Sequence, residues 1–152
     1  MKSDIEYLKQ AVRLANFSVD RGGFPCGCLI VESGAVVGDG MSMSEVESDP
    51  TAHAEVTAIR SATSTKASPD LSGSILYSSL EPCLMCFHSA YWAGIRRIVF
   101  GARKERVSAR YYEGSCSLAA AAAVLSHTVR IDFLPDFEEQ TLELIDKWER
   151  RG

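Results

Sequence analysis

A chain of 152 residues is sized for one domain and is long enough to bury a substantial core. Hydrophobic residues make up 46% and charged residues 24%, an ordinary soluble balance, and no apolar run approaches the roughly 20 residues of a membrane-spanning helix. The formal net charge of -4 argues against a nucleic-acid partner and points to a small molecule. Met1-Lys2-Ser3-Asp4 leads into an acidic amphipathic stretch rather than the apolar core of a signal peptide, so a cytoplasmic location is expected.

In chain order, residues 4–20 read as a helix, with Ile5, Leu8, Val12, Leu14, Ala15 and Val19 at roughly helical spacing and Arg21-Gly22-Gly23 and Pro25 as stop signals. Cys28-Leu29-Ile30-Val31, a Ser33-Gly34 turn and Ala35-Val36-Val37 predict a hairpin. A polar loop over 40–50 precedes a second helix from near Thr51 to about Ala62, and a loop rich in Ser, Thr and Pro covers 63–73. Ile75-Leu76-Tyr77 is a strand, a third helix opens at Pro82, and Arg97-Ile98-Val99-Phe100 is another strand. Residues 101–114 read as irregular, 117–125 as an Ala-rich helix, 129–133 as a last strand and 136–150 as a terminal helix. Helices alternating with strands after a hairpin imply an α/β domain on a mixed sheet, with no repeat and no linker. Arg96, Arg97, Arg103, Lys104, Arg106 and Arg110 form a basic run whose plain reading is a solvated strand end and loop.

The five cysteines are an odd count, which argues against a disulfide framework. Cys83 and Cys86, in Pro82-Cys83-Leu84-Met85-Cys86, then read as metal ligands, a redox pair or buried apolar residues. Proline suits the first helical position, which would set both thiols on one face of a first turn, where the helix dipole lowers thiol pKa values. His53-Ala54-Glu55, separated from that motif by 26 residues, lies near the start of the preceding helix. Alone, His53 is an ordinary polar helix residue and Glu55 a solvated charge. Together with two cysteines, one histidine completes three ligands and leaves a fourth zinc position open, as a catalytic site requires. A carboxylate two residues from the histidine can then stand beside the metal-bound water without ligating the metal.

H-x-E followed by P-C-x-x-C is the zinc-deaminase signature. On these motifs the chain resembles the cytidine/cytosine deaminase-like superfamily over about residues 4–104, above all the branch of bacterial guanine deaminases, yeast-type cytosine deaminases and tRNA adenosine deaminases. The segment Asp49 to Arg60, DPTAHAEVTAIR, is especially close to it. The resemblance implies a three-layer α-β-α sandwich on a mixed five-stranded sheet and a homodimer. It assigns His53, Cys83 and Cys86 to Zn2+ and Glu55 to proton transfer. Bound zinc would bring the pKa of a water to about 7, and Glu55 would carry its proton to a ring nitrogen and then to the leaving amine.

The same resemblance places Phe24, after Gly22-Gly23, on the approach to the binding cavity, and Trp92, in Tyr91-Trp92-Ala93, against the base or in the core. Glu113 falls where guanine deaminases place an acidic contact to the base. Four positions depart from the family pattern. The usual Pro-Phe-Gly-Ala is Pro25-Cys26-Gly27-Cys28, with the two cysteines read as small buried residues. Ser42 stands eleven residues before His53, where many relatives carry a base-binding asparagine, and a hydroxyl lacks the paired amide pattern. His88 stands where relatives have glycine. From the terminal helix, Asp136, Phe137, Glu143 and Trp148 are candidates to close the cavity. The expected activity is therefore hydrolytic deamination of a free base or related heterocycle: guanine, cytosine, isocytosine or an amino-triazine. The alternatives are a tRNA adenosine deaminase, which the charge opposes, and a zinc-bearing binding protein without catalysis, which an intact Glu55 opposes.

Overall fold

The computed structural model describes residues 1–151. The first helix, α1 (Asp4–Asp20), opens with a capping box. The Ser3 hydroxyl accepts the Glu6 N–H at 3.3 Å, and the Glu6 carboxylate accepts the Ser3 N–H at 2.7 Å. It stops at Arg21, and Gly22 takes up φ 82°, which an L side chain rarely adopts.

A hairpin follows, β1 (Gly27–Glu32) and β2 (Ala35–Met41), then a short helix α2 (Ser44–Glu47) inside the expected polar loop. Next come α3 (Ala54–Lys66), β3 (Ser74–Ser78), α4 (Leu84–Trp92), β4 (Arg97–Phe100), α5 (Leu118–Ala123), β5 (Arg130–Phe133) and α6 (Glu138–Arg151). The sheet order is β2-β1-β3-β4-β5. β1 is antiparallel to β2 and to β3, whereas β3, β4 and β5 run parallel, so the sheet is mixed as expected.

Strand alternation divides the core between the two faces. Cys28, Ile30, Leu76 and Ile98 point into the cluster under α3, α4 and α5. Leu29, Val31, Tyr77 and Val99 point the other way, towards Tyr7 and Leu14 of α1, and α6 packs beside α1.

Two close approaches set the heights of the helices. A Cβ on Gly27 would lie 2.1 Å from the Ala11 carbonyl oxygen of α1. On the other face, a Cβ on Gly40 would lie 2.5 Å from both the Ala54 carbonyl oxygen and the Ala58 nitrogen of α3. Gly40→Ala is therefore expected to push α3 off the sheet. We expect a loss of about 1–3 kcal/mol in a denaturant titration, with a weakened metal site because α3 begins beside it. An unchanged unfolding midpoint would refute the contact.

At the opposite edge, Arg97 bridges two acids, with Nη2 at 2.7 Å from Asp4 Oδ2 and 2.9 Å from Asp132 Oδ2, and Tyr77 donates to Asp4 Oδ1 at 2.6 Å. The Arg97 hydrogen bond leads in holding the Asp4 carboxyl below its usual range. A depressed carboxyl stabilises the fold above the unfolded value of about 3.9, and that contribution is lost as pH falls through the folded value. The melting temperatures of Asp4→Asn and wild type should thus differ most above about pH 4 and converge in stronger acid. A gap that widens with acid would contradict the sign.

Candidate active site

The three candidate ligands sit at helix starts. His53 is the N-cap of α3 and Cys83 the N-cap of α4, each with extended backbone and neither side chain capping its own helix. N-caps are usually Ser, Thr, Asp or Asn, whose side chains turn back on the helix. Histidine and cysteine here leave that role and turn towards each other. Pro82 precedes the N-cap, so it is not the first helical residue that the sequence suggested, and Cys83 stands just before the first turn. Cys86, in that turn, still faces Cys83. The start of α3 is delayed by the Asp49 carboxylate, which accepts the Thr51 N–H at 2.8 Å and its hydroxyl at 2.7 Å.

His53 Nδ1 lies 3.5 Å from the sulfurs of both Cys83 and Cys86. The three ligand atoms all lie within 4.8 Å of one another. Zn–S bonds of about 2.3 Å and Zn–N bonds of about 2.0–2.1 Å in a tetrahedron would separate N from S by about 3.6 Å. The donor set and its spacing thus fit zinc, with the fourth position left for a water.

The two thiols differ in acidity. The hydrogen bond from Cys86 leads in pulling Cys83 down to about 5, and the same bond holds Cys86 up. The Cys83 thiolate in turn raises His53. Glu55 is 4% exposed, and its burial, then the nearby Cys83, pushes its carboxyl up. Its Oε1 accepts a hydrogen bond from Ser78 at 3.0 Å.

A cavity of about 290 Å³ opens over His53, Glu55 and Cys83. Its walls include Ser42, Ser44, Glu45, Glu81 and Tyr112, with Cys26 among them. Phe24, Tyr111 and Trp148 form an aromatic rim, with ring centroids 4.8 Å apart for Phe24 and Tyr111 and 5.2 Å for Phe24 and Trp148. Ser42 and Phe24 line the cavity, and of the terminal-helix candidates only Trp148 does.

Two expected contacts are placed elsewhere. Trp92 is 85% exposed on the outer side of α4, neither in the cavity wall nor in the core. Six residues past Cys86, it has turned to the flank opposite the buried Cys86, Phe87 and Ala90. Glu113 accepts the Met85 N–H at 3.1 Å, capping the start of α4 outside the cavity lining. His88 packs against Phe87 and does not line the cavity either. Ser78, Glu45 and Tyr112 were missed by the motifs. For Ser78 the signal was strand parity: it lies two residues after Leu76, on the face that α3 covers.

The basic run is spent inside the molecule. Arg103 and Arg106 both reach Glu138, at 2.9 and 2.8 Å, and Arg106 also reaches Glu139 at 2.9 Å. Arg110 pairs with Glu149 at 3.3 Å, Arg97 with Asp4 and Asp132, and Arg96 lies 4.7 Å over the Tyr91 ring. Lys104 donates to the carbonyls of Gly114 and Cys116. No helix among the described residues is long and apolar enough to cross a membrane.

Residues 1–102 match the family model of the cytidine and deoxycytidylate deaminase zinc-binding region, and the chain belongs to that family. It is 44% identical to the guanine deaminase of Bacillus subtilis (strain 168) over 97 residues, which are 63% of this chain and 62% of that protein. It is 31% identical to the tRNA-specific adenosine deaminase of Aquifex aeolicus (strain VF5) over 144 residues, 93% of this chain and 91% of that protein. The fold matches the solved guanine deaminase from Nitrosomonas europaea with a TM-score of 0.88 over 99% of this chain and 86% of that one, at 22% identity. This zinc-binding family and the His53, Cys83 and Cys86 group agree on the cofactor.

Proposed function

We propose that the chain is a zinc-dependent aminohydrolase of a free nucleobase or related amino-heterocycle, acting in the cytoplasm as a homodimer. The observation that carries this reading is the small cavity directly over Glu55 and the ligand triad. At about 290 Å³ it lies at the low end of ligand pockets, suited to a single base rather than a nucleotide. Glu45, Glu55 and Glu81 line it with no lysine or arginine, so away from the metal position a phosphate would find carboxylates and no cationic side chain to hold it. Its aromatic rim offers flat faces to a planar ring.

Zinc held by His53, Cys83 and Cys86 would supply a water acidified to about pKa 7. Glu55 would take a proton from the attacking water and pass it to a ring nitrogen, which would make the amine-bearing carbon electrophilic. Glu55 would then take the second proton from the hydroxyl of the newly formed C–O bond and deliver it to the amine, so that the C–N bond breaks, a carbonyl remains and ammonia leaves. A carboxyl raised by burial is suited to a shuttle that must both accept and return a proton near neutral pH. Ser42 and Glu45 offer acceptors to ring substituents that donate, which favours bases with several amino groups.

The long match to a tRNA-specific adenosine deaminase favours a second reading. Against it stands the neutralisation of Arg97, Arg103, Arg106 and Arg110 by acids of the same chain. Ammonia release by zinc-loaded protein decides between them. The panel comprises guanine, cytosine, isocytosine, adenine, amino-triazines and their nucleosides. Turnover on a free base is expected. Inactivity on the panel with turnover on tRNA, and binding that weakens steeply with salt, would replace this reading with the second.

A further inference from the structure

We propose that Ser78 is a positioning residue for Glu55, the last member of a buried one-way chain of hydrogen-bond donors that decides which carboxylate oxygen is free to move protons. The proposal rests on the aminohydrolase reading above. Ser78 ends β3 and is fully buried, and its hydroxyl donates to Glu55 Oε1 at 3.0 Å. A serine hydroxyl has one hydrogen, and here it is spent on Glu55. Ser78 Oγ must then be the acceptor in its 3.9 Å contact with Cys26 Sγ, so the thiol donates. The Cys26 sulfur in turn accepts from the Ser79 hydroxyl at 3.8 Å, and Ser79 Oγ accepts the Gly27 N–H at 3.1 Å.

Counting hydrogens leaves a single arrangement: Gly27 N–H, Ser79 O–H, Cys26 S–H, Ser78 O–H and finally Glu55 Oε1. The chain is rooted in a peptide N–H whose direction β1 fixes, so rotating a hydroxyl cannot reverse it. The links through sulfur are weak, and the strength lies in the last link, which ends on a carboxylate. With Oε1 engaged by Ser78 from the sheet side, Oε2 is assigned to the water and the ring nitrogen. This gives Cys26, one of the departures from the family pattern, a use beyond filling space.

The test uses zinc-loaded full-length protein with Ser78→Ala, Ser78→Thr, Cys26→Ala and Cys26→Ser. Ser78→Ala should keep its zinc and its KM within about twofold while kcat falls roughly tenfold, the scale of one hydrogen bond to a charged group. Ser78→Thr should recover most of that loss, because the hydroxyl returns. Cys26→Ala should lower kcat more than Cys26→Ser, which keeps a donor in the relay. Wild-type kcat in Ser78→Ala, or equal kcat in the two Cys26 variants, overturns the proposal. Should Ser78→Ala fail to fold, the Cys26 pair decides. Crystal structures of wild type and Ser78→Ala give a readout independent of turnover. Glu55 should occupy one position in the first and more than one in the second, and an unmoved Glu55 in Ser78→Ala sinks the idea. If wild-type protein released ammonia from no base, the aminohydrolase reading would fall, and the crystal comparison alone would judge the positioning role.

Discussion

Replacing Glu55 with glutamine will leave zinc bound and lower turnover by about 10²–10⁴-fold, the range by which a positioned proton-transfer group accelerates a reaction. Glutamine matches the size of the buried carboxyl and can still accept the Ser78 hydrogen bond on its amide oxygen, so packing is preserved. What it cannot do is take a proton from water and give it back. Because Glu55 is not one of the three grouped ligands, metal content should stay stoichiometric. Zinc analysis and steady-state rates on the same preparation check both halves. Near-normal kcat would remove Glu55 from proton transfer, and loss of zinc would make it part of the metal site.

Cys83→Ala has the opposite signature. The metal should go first and activity with it. Two donors remain, His53 and Cys86, and affinity should fall by more than about 100-fold, the most that loss of a mere supporting contact to a ligand brings. Ligand binding stabilises the folded state in proportion to the logarithm of its affinity. Wild-type protein should therefore melt lower after chelation, and the variant should melt at one temperature with or without chelator. Stoichiometric zinc in Cys83→Ala would break the ligand assignment.

The parts of the fold that were legible in the sequence are those whose residues answer to local rules. α1 carries its capping box and its stop, and β3 and β4 are short apolar runs that lie in the middle of the sheet. The candidate zinc ligands were legible because histidine and paired cysteines have few other reasons to occur at that spacing. What sequence left hidden depends on partners far along the chain. Ser44–Glu47 has no apolar period and forms a helix only as part of the cavity wall. The arginines of the 96–110 run find their acids on α6 and at the start of α1, some 30 to 90 residues away in sequence. Spacing put Trp92 near the site, but spacing along a helix does not say which flank faces the cavity.

The contact between β2 and α3 has a mechanical consequence. At Gly40 and Gly38 the helix backbone rests on the strand backbone, with no side chain between them to deform. The joint between sheet and helix is therefore stiff, and the helix it carries begins beside His53 and holds Glu55. On the other side of the cavity the rim is made of three aromatic rings on separate segments, each able to turn about its own side-chain bonds. The mouth is thus built of side chains, and the floor is carried by backbone-to-backbone contacts. Phe24, Tyr111 and Trp148 make up that mouth, whereas His53 and Glu55 are carried on a helix seated directly against the sheet.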